Sequence, residues 1–414
     1  DISPVQSVGE YFDTENSSLN PQNRGHGFYV YGTLPMFITR YVVEWVYGHS
    51  GFNEMTDVGR ILSAVADLGT LMLVYLIAAR LYNRRVVLLA TAFSAFAVLQ
   101  IQQSHFFTMD TFITLFVLLA LYFAIQVAHP VPEDAEREFE TSSARPAGWR
   151  AVFADPLLWL CIGFGIALGM AVASKLNAAL MAAALPIALG MRLSRLHKAD
   201  WERHLLRSLV YLGLAAVLSV LVFRVAQPYA FSGPGFFGLM PNPKWVANIK
   251  ELAAQGAGDV DMPPSLQWAR RPITYAWENM VKWGMGLPLG LLAWAGFLLA
   301  GWRMLKGDWQ RHLLLWGWTA FYFGWWARAF NPTMRYFLPV YPTLAIFAAW
   351  ILGTAWFSKR TPAPAKPGEE KSGDMQWSAA PLHIPTPLLD GHALAQQSVD
   401  EVETAPAPLL DSRT

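Results

Sequence analysis

The chain has 414 residues, 54% of them hydrophobic and 15% charged, with 18 Trp, 25 Phe and a formal net charge of +1. A water-soluble fold of this length cannot hide so much apolar surface, and the positive mean hydropathy points the same way, so the composition is that of a membrane protein. The near-zero net charge gives no footing for a nucleic-acid partner, and the single cysteine, Cys161, excludes an intramolecular disulfide framework and a cysteine metal site.

In chain order, residues 1–57 open with a polar stretch rich in Asn, Gly and Pro and then read TLPMFITRYVVEWVYG. Arg40 and Glu44 punctuate its apolar residues at helical spacing, with Trp45 and Tyr47 near one end, so this segment reads as an interfacial helix on the membrane surface. A short spanning helix is the competing reading, and it would invert every later loop. Asn16-Ser17-Ser18 matches a glycosylation sequon, a triplet common by chance.

Nine apolar spans of roughly 20 residues follow, and together they make the chain an all-α, polytopic transmembrane helical bundle. They are Val58 to Ala79, Val86 to Ser104, Asp110 to Ala128, Pro156 to Ser174, Lys175 to Met191, Ser208 to Ala226, Val281 to Leu305, Leu313 to Ala327 and Leu338 to Phe357. Three turns are dense in basic residues: Arg80, Arg84 and Arg85; then Arg192, Arg195, Lys198, Arg203 and Arg207; then Arg303, Lys306 and Arg311. By the positive-inside rule these are cytoplasmic. The chain start, the turns at Ser104 to Asp110 and at Ser174 and Lys175, the loop from Gln227 to Met280, and Asn331 to Phe337 are then external. The charged loop Glu133 to Arg150 falls on the cytoplasmic side. An external start with neither an initiator Met nor a signal peptide leads to the expectation that a further span precedes Asp1.

The domain organisation expected is an external first loop with its interfacial helix (1–57), a membrane domain (58–357) carrying the external loop 227–280, and a Pro-, Ala- and charge-rich disordered cytoplasmic tail (358–414). No internal repeat is evident, which disfavours a transporter built from duplicated halves.

Ionisable residues at the membrane are costly and persist mainly for a reason, and the spans otherwise look largely uninterrupted, with such residues gathered at external span ends. In SHFFTMDTF, His105 and Asp110 bracket a turn joining two spans, and Asp110 reads either as a general base, or the group that orients one, or as a helix N-cap. His105 reads either as a catalytic partner or as a satisfied interfacial residue. In ASKLN, Lys175 interrupts two apolar stretches, and it can hold a lipid phosphate, pair with Asp110 or snorkel to the headgroups. In NPTMRYFLPVYP, Arg335 can bind phosphate bidentately or, with Tyr336, anchor the final span at the interface.

The long external loop is dense in Pro, Gly and aromatics and reads as an ordered cap, with Trp245, Trp268 and Trp277 able to stack on sugar faces or dip into lipid. Asp259 and Asp261 make too short a pattern for a metal site. Gly233, Gly235 and Gly238 lack the preceding strand and the following GK[ST] of a phosphate loop.

Five segments in order (YGTLPMF; GRILSAVADLGTLMLVYLIAARLYNRRVVLLATAF; SHFFTMDTFITLFVLLALYFA; GIALGMAVASKLNAALM; NPTMRYFLPVYPTLAIFA) resemble the GT-C superfamily of membrane glycosyltransferases. Within it the likeness is to bacterial relatives of the protein O-mannosyltransferases (glycosyltransferase family 39) and to the lipid A aminoarabinose transferases. The resemblance covers most of residues 10–357. It implies transfer of a sugar from a polyprenyl-phosphate donor to a lipid, protein or glycan acceptor at the external face, with inversion at the anomeric carbon. It further implies an integral protein of the bacterial plasma membrane with an extracytoplasmic site. Cofactors are left open: none is certain, and a divalent metal is compatible with the chemistry.

Such enzymes place an acidic catalytic residue just after their first span, a position expected here upstream of Asp1. Glu10, Asp13 and Glu15 remain in that loop without a basis for assigning the role. The positions that carry over are Asp110, Lys175 and Arg335, the two cations toward phosphate, and Asp110 positioning Lys175 or the acceptor. The competing function classes are a transporter or lipid flippase, which buries charge at the midplane and breaks its helices, and a noncatalytic scaffold, which has little need of Lys175.

Overall fold

The helices sort by how their apolar residues are spaced and where Gly and Pro interrupt them. A computed structural model of the chain describes residues 5–130, 152–196, 200–260 and 263–357. The expected loop 133–150 and the tail 358–414 lie outside the described residues, as does Asp261.

The first external segment closes into turns and then forms α1 (Leu34–Tyr47), with Pro35 in its first turn and Gly48 in the left-handed conformation at its end. At 14 residues it is about 21 Å long, short of the roughly 30 Å hydrocarbon core. It buries Thr39, Arg40 and Val43 and leaves Tyr41 and Trp45 outward, Trp45 being 86% exposed. An amphipathic helix of this length suits the interfacial reading and not a spanning one.

The bundle proper begins with α2 (Phe52–Leu81), which is 30 residues long and so starts earlier than its hydropathy suggests. The second expected span is not one helix: α3 (Arg84–Ala95) and α4 (Val98–Ser104) meet at a 57° bend. Next come α5 (Met109–Ala128), α6 (Pro156–Ser174), a 3₁₀ segment over Leu176–Ala183 that runs into α7 (Ala184–Leu193), and α8 (Trp201–Ala226). Pro186 lies in the first turn of α7, where a missing N–H costs no intrahelical bond.

After the external cap, which includes α9 (Pro243–Ala257), come α10 (Leu287–Arg303) and α11 (Trp309–Ala327). The seventh span starts later than expected, since Gly286 is left-handed immediately before it. Helices α10 and α11 form one apolar stretch of 41 residues, about twice what a single crossing needs. The stretch folds back at Gly307, whose φ of 109° breaks the helix, and Phe297 stacks on Trp316 at 5.1 Å across the hairpin. Finally a 3₁₀ segment, Met334–Val340, leads into α12 (Tyr341–Phe357).

Seven described stretches are long and apolar enough to cross a membrane, or eight with the bent pair. Dividing the 41-residue hairpin accounts for the nine spans expected. At the centre stands α12, whose Tyr341 and Leu344 to Ala349 are fully buried; an apolar surface on every side is what a helix enclosed by others requires. Helix α6 packs along both α5 and α8. Its approach to α8 is set by Gly165 and Gly169, where a Cβ would stand 2.4 Å from the Ala215 carbonyl oxygen and 2.7 Å from that of Ser219. Small residues four apart let two membrane helices touch backbone to backbone.

The two ends of the bundle differ in chemistry. At one end Arg195 donates to His129 Nδ1 (3.1 Å) and to Gln310 Oε1 (3.1 Å), Arg80 donates to the His129 carbonyl and Arg192 to that of Val127. The basic turns thus meet there, as the positive-inside reading expects. At the other end lie Asp110, Lys175 and Arg335.

Candidate functional site

Three helix starts and stops build the site. Asp110 is the second residue of α5, and the N-cap is Thr108, which makes no side-chain cap bond. The N-cap reading of Asp110 is therefore replaced: its carboxylate does not close the helix but accepts from Lys175 Nζ at 2.7 Å. Lys175 has extended backbone at the joint between α6 and the 3₁₀ segment, with φ −161° and ψ 126°. That kink frees its side chain from either helix. The pair is largely enclosed, with side chains 7% (Asp110) and 19% (Lys175) exposed.

Arg335 and Tyr336 enter from the turn before the last helix. Lys175 Nζ stands 4.1 Å from the centre of the Tyr336 ring and the Arg335 guanidinium 5.5 Å from it, so the aromatic face serves both cations. Trp326 packs against Tyr336 at 4.7 Å. Arg335 lies within the electrostatic influence of Asp110 and Tyr31, yet its Nε is buried with no hydrogen-bond acceptor. A charged donor left unmatched inside a protein is costly unless a further group completes it.

Arg335 also lines an open cleft of about 480 Å³, walled by Thr56 and Arg60 of α2, Gln103 of α4, and Phe106, Phe107 and Thr108 of the turn before α5. Two arginines among hydroxyl, amide and aromatic side chains suit an anionic group carried on a polar, ring-shaped body.

The first external segment forms the side wall. Gly32 lies so close to the end of α6 that a Cβ there would come within 2.0 Å of the Ala173 carbonyl oxygen and 2.4 Å of that of Ser174. Only glycine lets the chain rest on the residue before Lys175. Next to it, Thr33 donates through Oγ1 to the Ala226 carbonyl (2.6 Å) and through its N–H to Gln227 Oε1 (2.5 Å). Burial raises the hydroxyl pKa of Tyr29 and Tyr229 here. Of the loop's acids, Asp13 is engaged locally: the Asn16 side chain donates to it at 2.8 Å and lowers its pKa, and the Glu15 and Asn16 backbone N–H groups add to this. In the sequon, Asn16 is exposed but Ser18 is buried.

Of the residues singled out from sequence, the structure brings together Asp110, Lys175 and Arg335. It does not bring in His105, which is exposed and whose Nδ1 lies 2.6 Å from the Ile101 carbonyl. Among the described residues no group of three His, Cys, Asp or Glu side chains could hold a metal ion.

Four residues escaped the sequence reading. Arg60, Gln103 and Gln100 lie inside stretches whose apolar residues dominate the pattern. Asp67 lies within α2, about 10 Å further along the helix than Arg60, an exception to the gathering of ionisable residues at external span ends. Gln100 donates to Asp67 Oδ1 at 3.4 Å and accepts from Ser94 Oγ at 3.0 Å, a chain that bridges the α3–α4 bend. Thr56, Arg60, Ser63 and Asp67 recur at helical spacing, the signal that marks one polar stripe on a membrane helix.

Residues 42–132, which hold α2 to α5 with Arg60 and Asp110, match the family of dolichyl-phosphate-mannose-protein mannosyltransferases. No curated protein matches the chain. Among solved structures, the oligosaccharyltransferase of Archaeoglobus fulgidus tethered to an acceptor peptide superposes with a TM-score of 0.53 at 16% identity, over 85% of this chain and 45% of that one. The same archaeal enzyme, AglB, in complex with an inhibitory peptide and a dolichol-phosphate gives 0.50 at 15% identity, over 82% and 44%. ArnT from Cupriavidus metallidurans bound to undecaprenyl phosphate gives 0.47 at 17% identity, over 85% and 56%. The chain thus spans about half the length of these solved proteins. The chain shares the fold of the archaeal oligosaccharyltransferase.

Proposed function

We propose that the chain forms the membrane part of a glycosyltransferase that moves a sugar from a polyprenyl-phosphate donor to an acceptor at the extracytoplasmic face of the bacterial plasma membrane. The observation that carries this reading is the buried, unpartnered Nε of Arg335 on a cleft wall, beside the Lys175–Asp110 pair. A phosphate oxygen completes that donor, and the capture of a dolichol-phosphate by AglB, a protein of this fold, supports a ligand of that class.

In the proposed chemistry the acceptor oxygen attacks the anomeric carbon, the bond from that carbon to the phosphate oxygen breaks, and the lipid phosphate leaves carrying the bonding pair. Arg335 and Lys175 stabilise the charge that grows on it. Asp110 fixes Lys175 so that the ammonium is already in place when charge develops, and Tyr336 holds both cations at one depth. The acceptor's proton passes to water in the open cleft, since Asp110 is already held by Lys175.

A transporter or flippase reading draws on the α3–α4 bend and on Asp67 inside α2, features such proteins use. Proteoliposomes loaded with a polyprenyl-phosphate sugar separate the two: the transferase releases free polyprenyl phosphate in an acceptor-dependent manner, while a flippase moves intact donor between leaflets. Binding of undecaprenyl phosphate by the wild type and by Arg335→Ala tests the site itself. Equal affinity for both proteins removes Arg335 from the phosphate site.

A further inference from the structure

A short turn in the external cap is built to enter lipid. It runs from Phe236 to Met240 (FFGLM), carries no charge, and leaves Phe237 88%, Met240 73% and Leu239 47% exposed. Isolated apolar residues on a surface need no explanation, but three on one ordered turn do.

The order comes from Arg224, in the last turn of α8, whose guanidinium is fully buried. Its Nε donates to the Phe236 carbonyl (3.1 Å), Nη2 to that of Gly235 (2.6 Å) and Nη1 to that of Pro228 (2.9 Å). The rings of Phe12 and Phe231 flank it at 4.7 and 5.1 Å. Two further backbone bonds pin the turn at its start and end: Gly238 N–H donates to the Gly235 carbonyl at 3.2 Å, and the Met240 carbonyl accepts from Ser232 N–H at 2.7 Å. These bonds tie the two ends of the turn, and its tip residues stay at the interface, where headgroups and water can take up the remaining backbone groups.

Depth follows from the same bonds. Arg224 precedes the end of α8 by two residues, and α8 crosses the membrane by length and composition. A turn whose carbonyls reach Arg224 has folded back beside the last turn of that helix. Val217, Val220 and Val225 of α8 are 56%, 51% and 47% exposed, an apolar face left open among the described residues. The uncharged apolar tip, its anchoring by Arg224 and its position beside the end of a spanning helix together favour the bilayer interface over a soluble partner.

We propose that the Phe236–Met240 turn is a lipid-inserting wedge, with Phe237, Leu239 and Met240 in the leaflet at the site end and Arg224 as the buried tie that holds it. Tyr11 donates to the Val225 carbonyl (2.7 Å) and Thr14 to that of Phe231 (2.6 Å), so the end of α8 and the chain leading into the wedge also hold the first external segment. The inference does not depend on the glycosyltransferase reading.

The test is fluorescence quenching of the whole chain reconstituted in vesicles of phosphatidylethanolamine and phosphatidylglycerol. Bimane is placed on Phe237→Cys, and separately on Met240→Cys, in a Cys161→Ala background, with Lys250→Cys on exposed α9 as the aqueous reference. A nitroxide near the top of the lipid acyl chain should quench Phe237→Cys and Met240→Cys about threefold more than Lys250→Cys, with aqueous iodide giving the opposite order. Iodide quenching at the tip equal to that at Lys250→Cys would overturn the wedge. Protection from both quenchers would also overturn it, since protein and not lipid would then cover the tip.

Discussion

Arg224 and Arg335 both carry a guanidinium into the site end of the bundle, and they are finished differently. Arg224 is fully enclosed, with Nε, Nη1 and Nη2 all donating to backbone carbonyls. Arg335 shares an aromatic face with Lys175, borders a cleft and keeps a buried Nε without an acceptor. A cation whose donors are all used is part of the scaffold, whereas one with spare donors beside an opening can still take a ligand. The difference teaches that burial of charge alone does not mark a site; unfinished hydrogen bonding beside space does.

Exchanging each arginine should expose that contrast. Arg335→Ala should lower glycosyl transfer by about a hundredfold or more, the scale for loss of a donor to developing charge, with the thermal midpoint nearly unchanged. Arg224→Met should do the reverse. Three carbonyls lose their donor, and stability should fall by about 2–3 kcal/mol, with activity per folded molecule retained. Thermal unfolding in detergent beside initial rates reads both. An Arg224→Met protein that stays stable but inactive would erase the distinction between the two.

Lys175 lies between these extremes, since it is paired to Asp110 and still serves the proposed phosphate site. Lys175→Met leaves a buried carboxylate unpaired and should cost about 3 kcal/mol as well as activity. The double change Asp110→Leu with Lys175→Met should regain most of that stability and none of the activity. Recovery of both would make the pair a structural element only.

The fold was largely legible because span length, basic turns and a few helix breakers are all one-dimensional signals. That residues 34–47 form a short helix was recognisable from the spacing of Arg40, Glu44 and Trp45, and the α10–α11 hairpin from two apolar runs around a basic turn. The bend between α3 and α4 was not, because no proline lies in Val86 to Ser104 and only tertiary contacts, Ser94 to Gln100 to Asp67, show it. In the site, Asp110, Lys175 and Arg335 stood out as charges at span ends. Arg60 and Gln103 did not, since their meaning depends on which faces of α2 and α4 converge. Asp67 is legible in the sequence as an ionisable residue inside a span, at helical spacing from Arg60 and Ser63.

The Asp67 bridge offers a smaller test on a region with neither an open cleft nor a full set of bonds. Asp67→Leu removes the acceptor for a buried Gln100 amide and should cost about 1–2 kcal/mol, whereas Asp67→Asn keeps an oxygen facing Gln100 and should cost less. Equal losses for both would mean that the carboxylate's charge, and not the hydrogen bond across the bend, is what the bundle uses.

The opposite end of the bundle sets the smallest expectation. His129 lies just past α5, and burial first, then Arg195 and Arg80, lower its pKa from 6.5 to about 4. Its Nδ1 accepts from Arg195, so protonation there removes a bond and sets cation against cation. The unfolded chain takes up the proton near pH 6.5 and the folded one only near pH 4. Stability from this group is therefore full above about pH 6.5, declines as pH falls toward about 4, and changes no further below that. His129→Asn should flatten the thermal midpoint across that window while leaving the value at pH 8 close to wild type. A midpoint that falls equally in both proteins would assign the acid sensitivity to carboxylates, whose stabilisation is lost at lower pH, and would leave His129 as a neutral acceptor that never titrates in the folded bundle.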